Sequence, residues 1–151
     1  MRVPLTLACG AYDRTAGLAR GEIQPEGVDL TVLTLPVEET FFRMTRHREF
    51  DAAEMSLSSY LISLEADAPF VAIPAFLSRS FRHNGIYVPA GSAVTEPAGL
   101  AGGLVGVAEY QLTANVWARA LLQDDHGVKP ADVRWVRAGI EHAQRPEKIP
   151  S

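Results

Sequence analysis

The sequence predicts an α/β protein of mainly parallel or mixed sheets covered by helices, and three observations carry that expectation. Short β-branched or apolar runs alternate with helical stripes. The connections have the length of crossovers, and Gly or Pro closes most runs. Leu5 to Cys9 reads as a buried strand ended by Gly10, after which Asp13 or Thr15 can cap a short helix that stops near Gly21. Pro25-Glu26-Gly27 is a turn, and Val28 to Leu35 is a second strand stopped by Pro36. Val37, Phe41 and Met44 recur at i, i+4 and i+7, the stripe of a helix with one face on a sheet. Its first-turn Glu38 and Glu39, and Arg46, His47 and Arg48 near its end, suit the helix dipole.

Phe50 to Met55 reads as a short strand leading into Ser56-Leu57-Ser58-Ser59, and Leu57, Tyr60, Leu61 and Leu64 as the next helical stripe. Phe70 to Phe76 is expected to be a further strand, with Pro74 favouring an edge or a bulge, and Gly85 to Val88 another. Between Pro89 and Gly103 the texture turns to Pro, Gly, Ser and Ala, which suggests a lobe boundary or crossover. Leu104 to Ala108 is a strand, Leu112, Val116, Trp117, Ala120 and Leu121 an apolar helical face, and Val133 to Val136 a last strand. Glu141 to Ser151 is polar, with no evident partner. The organisation read from this is a first lobe over 1–90, a crossover over 91–103 and a partial second lobe over 104–151. Right-handed crossovers would bring the loops after the strands to one edge, the usual ligand side of such sheets.

A length of 151 residues with 47% hydrophobic and 21% charged residues fits a chain with a true core rather than disorder. A net charge of -4 gives no reason to expect nucleic acid or an anionic membrane as partner. Cys9 is the single cysteine, so no internal disulfide or multi-cysteine metal site is available, and its apolar run favours a buried thiol. With no secretory pattern after Met1 and no apolar run long enough to span a bilayer, the cytoplasm is the expected compartment.

The polar side chains of interest fall in the loops Gly10–Thr15, Glu54–Ser59, Phe76–His83 and Glu109–Thr113. Ser56, Ser58 and Ser59 stand at a helix start, where free amides and hydroxyls can hold a carboxylate, although serine is also a common helix cap. Arg79, Arg82 and His83 share one loop with Phe76 and Phe81. Arginine's planar fork suits a carboxylate and histidine can move a proton near neutral pH, while a solvated charge cluster is the other reading. Asp13 and Arg14 can bind a ligand or simply pair. Glu109, Tyr110, Gln111 and Thr113 follow a strand, Tyr110 offering a flat face and a hydroxyl and Thr113 a helix cap. Glu54, two residues before the serines, can be a second acid or an orienting partner. No zinc, calcium, phosphate-loop or dinucleotide spacing occurs, so no metal is assigned. A sparse divalent site of His83 with Glu54, Asp13 or Glu109 stays an open alternative.

The runs Leu5-Thr6-Leu7-Ala8-Cys9-Gly10-Ala11-Tyr12-Asp13-Arg14, Glu38 to Met44 and Phe50 to Tyr60 resemble the 4,5-dihydroxyphthalate decarboxylase family, as do Phe81-Arg82-His83 and Val107 to Thr113. The resemblance runs along almost the whole chain. It implies a fold like that of type 2 periplasmic solute-binding proteins, two α/β lobes flanking a ligand cleft. The family's members are longer, so the second lobe is expected to be incomplete here, with exposed edges that favour aggregation or a homo-oligomer. The activity implied is non-oxidative decarboxylation of an aromatic dicarboxylate, 4,5-dihydroxyphthalate to 3,4-dihydroxybenzoate. Arg82 would clamp a carboxylate with Arg14 and the Ser56/Ser58/Ser59 helix start, and His83 would donate the proton with Glu54 orienting it or sharing the acid role. Glu109 or Tyr110 would hold the hydroxyls. No organic cofactor is required, since the protonated ring is itself the electron sink, and a divalent metal on the hydroxyls is left open. The rival reading is a module that binds a small anion without chemistry.

Overall fold

In the computed structural model, which describes residues 1–66 and 69–139, the run after Arg2 forms strand β1 (Val3–Cys9). A turn of 3-10 helix over Asp13–Thr15 leads into the single-turn helix α1 (Ala16–Ala19), and Gly21 leaves it with a left-handed φ of 71°. Strand β2 (Val28–Thr34), rich in Val and Thr, lies parallel to β1, with Val3 opposite Val28 and Cys9 opposite Thr34. Pro36 then stands at the N-cap of α2 (Val37–His47), whose C-cap Arg48 adopts the left-handed conformation at φ 52°. A two-residue strand β3 (Ala52–Ala53) pairs parallel with Leu7 and Ala8, giving the order β2-β1-β3. The central strand is covered only toward its C-terminal end, where Ala8 and Cys9 are buried.

Helix α3 (Leu57–Glu65) reverses the expected polarity. Ser58, Ser59 and Ser63 are buried together with the N-cap Ser56, while Leu57, Leu61 and Leu64 are each close to half exposed. Serine can occupy the inner face because its hydroxyl is satisfied locally. Ser63 Oγ donates to the Tyr60 carbonyl at 2.7 Å, and the Ser56 and Ser58 hydroxyls lie 3.1 Å apart.

The strand expected over Phe70 to Phe76 does not form, and neither does the one over Gly85 to Val88. Pro69 and Pro74 remove two backbone donors, and the Ala75 N–H turns back to Ile73 O at 2.8 Å instead of joining a ladder. Val71, Ile73 and Phe76 are consequently exposed. Residues His83–Gly85 form a 3-10 turn rather than entering a strand.

The first compact unit ends at Leu77 and the second begins at Ser78. In the second, β4 (Leu104–Val107) and β5 (Arg134–Arg137) form a parallel pair with helix α4 (Thr113–His126) between them in sequence. Gly127, at φ 69°, ends α4 in the left-handed conformation that only glycine adopts freely. The core joins Leu100, Leu122, Val128 and Val133, with Ile86, Val94, Val105 and Trp135 against it. Leu122 is 2% exposed and contributes about 2 kcal/mol of burial. The buried face of α4 is therefore rotated from the expected one: Val116 and Trp117 face outward, and Leu122 is the anchor. The polar stretch from Glu141 to Ser151 lies outside the described residues. The architecture is α/β with parallel sheets, and no helix among the described residues is long and apolar enough to cross a membrane.

Candidate functional site

In the first unit the parallel pairing of β1 and β3 brings two strand ends side by side. Glu54 N–H donates to Ala8 O at 2.9 Å, so Glu54 leaves the sheet beside the turn that starts at Gly10. Its carboxylate accepts the Tyr12 hydroxyl at 2.7 Å on Oε1 and 2.9 Å on Oε2, and the Gly10 N–H at 3.2 Å on Oε2. Gly10 is needed there. A Cβ at that position would lie 2.8 Å from Val37 Cγ1 and 2.9 Å from the Tyr12 ring and hydroxyl. Ser56, Ser58 and Ser59 follow at once, all buried.

Arg14 stacks over the Tyr12 ring at 4.7 Å. Its guanidinium is already employed, with Nε donating to Leu77 O at 2.8 Å, Nη2 to the same carbonyl, and Nη1 3.3 Å from Asp13. Asp13 thus pairs with its neighbour at the surface. Burial pushes the Cys9 thiol above its ordinary range, a hydrogen bond with Thr15 lowers it again in part, and the charge of Glu54 adds to the rise. Such a thiol is a packing residue rather than a nucleophile.

In the second unit a pocket of about 230 Å³ lies between the turn around Arg82 and the first half of α4. Phe81 and Tyr87 supply aromatic surface, Arg82, Asn84 and Asn115 polar groups, and Ala118 a small floor. Arg82 is half-buried, and its guanidinium makes no hydrogen bond or ion pair to a described residue. His83 Nε2 lies 3.3 Å from Asp125 Oδ2 on α4, with both side chains largely exposed. Arg79 is exposed.

The loop after β4 is fastened to α4. The Glu109 carbonyl accepts the Leu112 N–H at 3.2 Å and Asn115 Nδ2 at 2.6 Å, and the Glu109 side chain is buried. Leu112, not Thr113, is the N-cap residue. Gln111 and Thr113 are half-buried in the same turn. Arg119 lies over the Tyr110 ring at 3.7 Å, and the Trp135 ring meets Tyr110 edge-on at 6.1 Å.

The structure therefore gathers the expected residues into two sets. Asp13, Arg14, Glu54 and the serines belong to the first unit; Arg79, Arg82, His83, Glu109, Tyr110, Gln111 and Thr113 belong to the second. No group of three or more His, Cys, Asp and Glu converges as metal ligands among the described residues. Sequence reasoning missed Tyr12, Asn115 and Arg119. The latter two stand four apart on α4, a spacing that marks one helix face, whereas Tyr12 gave no signal beyond its place two residues after Gly10.

No family model matches the chain. Over 149 residues, 98% of its length, the chain is 46% identical to a 4,5-dihydroxyphthalate decarboxylase of Comamonas testosteroni and to one of Pseudomonas putida. The match covers 45% of the first and 58% of the second, so the chain spans about half the length of these curated relatives.

Proposed function

Because the chain belongs, over 98% of its length, to the 4,5-dihydroxyphthalate decarboxylase family, we propose that it binds an aromatic dicarboxylate and takes part in its non-oxidative decarboxylation. The observation that carries the reading is Arg82, a half-buried residue whose guanidinium has no described partner, in a pocket bordered by Phe81 and Tyr87. An arginine fork favours a planar carboxylate, and the aromatic side chains favour the ring that bears it.

The chemistry follows from the substrate named for the relatives. A hydroxyl para to a carboxylate pushes electron density to the ring carbon that carries the carboxylate, which then accepts a proton. The carbon–carboxylate bond breaks, its electron pair returns to the ring, and carbon dioxide leaves. One proton is consumed and one carbon dioxide released, with no change in oxidation state elsewhere. His83 is the proton donor of this scheme, and Asp125 holds its imidazole. Arg82 holds the carboxylate that stays. A fold like that of type 2 periplasmic solute-binding proteins is the finer reading of the α/β architecture that goes with this proposal.

The test mixes the chain with 4,5-dihydroxyphthalate, following binding by calorimetry and products as carbon dioxide and 3,4-dihydroxybenzoate. Binding that is lost in Arg82→Ala, with turnover lost in His83→Ala, is the expected result. Binding without turnover would leave an anion-binding module, and no binding at all would end the proposal.

A further inference from the structure

The pocket around Arg82 lies wholly within the second unit, and α4 supplies part of its lining as Ala114, Asn115 and Ala118. A cavity of about 150 Å³ accepts one benzene ring, so the 230 Å³ here suits a single substituted ring. The two alanines offer no polar group, which makes Asn115 the side chain of that helix able to hydrogen-bond a ligand there. Asn115 is half-buried, and its amide is held in one orientation. Nδ2 donates to the Glu109 carbonyl at 2.6 Å, and because that carbonyl can only accept, the amide cannot turn over without losing the bond. Oδ1 is left on the other branch of the amide, and no donor from a described residue reaches it. Asn84, the other amide of the pocket, is exposed and is not fixed in this way. Arg82 brings donors alone, whereas Asn115 keeps an acceptor, so the same pocket holds groups of both kinds.

We propose that Asn115 determines ligand choice by accepting a hydrogen bond from a ring hydroxyl, so that the pocket selects hydroxylated aromatic carboxylates over those without a hydroxyl. The inference rests on the aromatic-ligand reading above and deepens it, naming the substituent that α4 recognises. An ionised carboxylate has no proton to give, so Oδ1 does not serve it, and a phenolic hydroxyl does. Arg82 and Asn115 therefore read two different substituents of one ring. A ligand lacking the hydroxyl leaves the amide oxygen unpaired in the closed-off pocket wall, which is what turns a hydrogen bond into selectivity.

The experiment titrates 4,5-dihydroxyphthalate, phthalate and 4,5-dimethoxyphthalate, whose ring oxygens cannot donate, into the wild-type chain, Asn115→Leu and Asn115→Asp, with a thermal melt of each. Wild type is expected to prefer the dihydroxy compound to either of the others by about fivefold or more, the usual worth of a hydrogen bond between neutral groups. Asn115→Leu, of similar size but without an acceptor, should bring that ratio close to one. Asn115→Asp keeps an acceptor and gives up the donor to Glu109 O. It should hold all three ligands more weakly, since its charge repels their carboxylates, and yet retain the preference for the dihydroxy compound. An Asn115 that only fastens its loop would weaken every ligand alike in both variants and leave the ratio untouched. Equal wild-type affinity for the dihydroxy and dimethoxy compounds, or the wild-type ratio persisting in Asn115→Leu, overturns the inference while the aromatic-ligand reading stands. Should Asn115→Leu not melt cooperatively, Asn115→Asp decides, and loss of the preference there overturns the inference equally. Wild type that binds none of the three, while melting cooperatively, overturns both.

Discussion

The guanidinium of Arg119 lies 3.7 Å over the ring of Tyr110, and its Nη1 donates to that residue's own carbonyl at 2.8 Å. One face of the Tyr110 ring is thereby closed to a ligand. Burial pushes the Arg119 guanidinium down from its ordinary range and the Tyr110 phenol opposes this, without removing the charge. Arg119→Lys keeps the charge and loses the planar stack. It should lower stability by about 1–2 kcal/mol in urea unfolding. An unchanged midpoint would show that the stack contributes nothing.

Arg48 closes α2 in the left-handed region, at φ 52°, with its N–H on Met44 O at 3.0 Å. A side chain in this conformation costs about 1–2 kcal/mol, and glycine avoids the clash. Arg48→Gly should therefore raise stability by up to about 1 kcal/mol, the remainder being offset by glycine's freedom in the unfolded chain. A lower denaturation midpoint would contradict this.

The reversed polarity of α3 separates two substitutions a few residues apart. Leu61 is 53% exposed and Ser59 only 2%. Leu61→Lys should leave stability within about 0.5 kcal/mol, whereas Ser59→Leu should cost about 1–3 kcal/mol by overpacking. If the two effects came out in the opposite order in urea titrations, the helix would be turned the other way.

Cys9 yields a pH dependence. In the unfolded chain its thiol titrates near 9.0, and in the folded protein burial moves that value upward. Between the two values the folded state keeps a proton that the unfolded state has lost. Stability from this group is therefore complete below 9.0 and falls as pH rises through the folded value. The wild-type midpoint should decline more steeply above that pH than the midpoint of Cys9→Ala, and native Cys9 should alkylate far more slowly than the urea-unfolded chain. Parallel declines, or equal alkylation rates, would refute it.

Local patterning made much of the first unit legible. β1, β2 and α2 follow from β-branched runs, the i, i+4, i+7 stripe of Val37, Phe41 and Met44, and the stops at Gly10 and Pro36. What depends on distant partners was not legible. Phe70 to Phe76 has strand composition but pairs with nothing among the described residues, and α3 buries serines because of how it meets its surroundings rather than through its own periodicity. On the site side, Arg82 and Glu54 stood out by residue type, and their neighbours did not. Tyr12 reaches Glu54 across 42 positions of sequence, a contact that exists only once β1 and β3 are paired. The apolar face of α4 was read one position off, since Leu121 and Leu122 are equally hydrophobic and only packing distinguishes them.

Position 10 bears no functional group, yet it governs how the chain can be re-engineered. With Val37 on one side and Tyr12 on the other, it forms a gap into which no methyl fits. Laboratory evolution toward new ligands would find that substitutions at this site disturb the fold for reasons of volume, and would have to explore Tyr12 or Val37 first. A saturation library at residue 10 should yield glycine almost alone among its survivors, unless a smaller residue arises at 37 in the same clone.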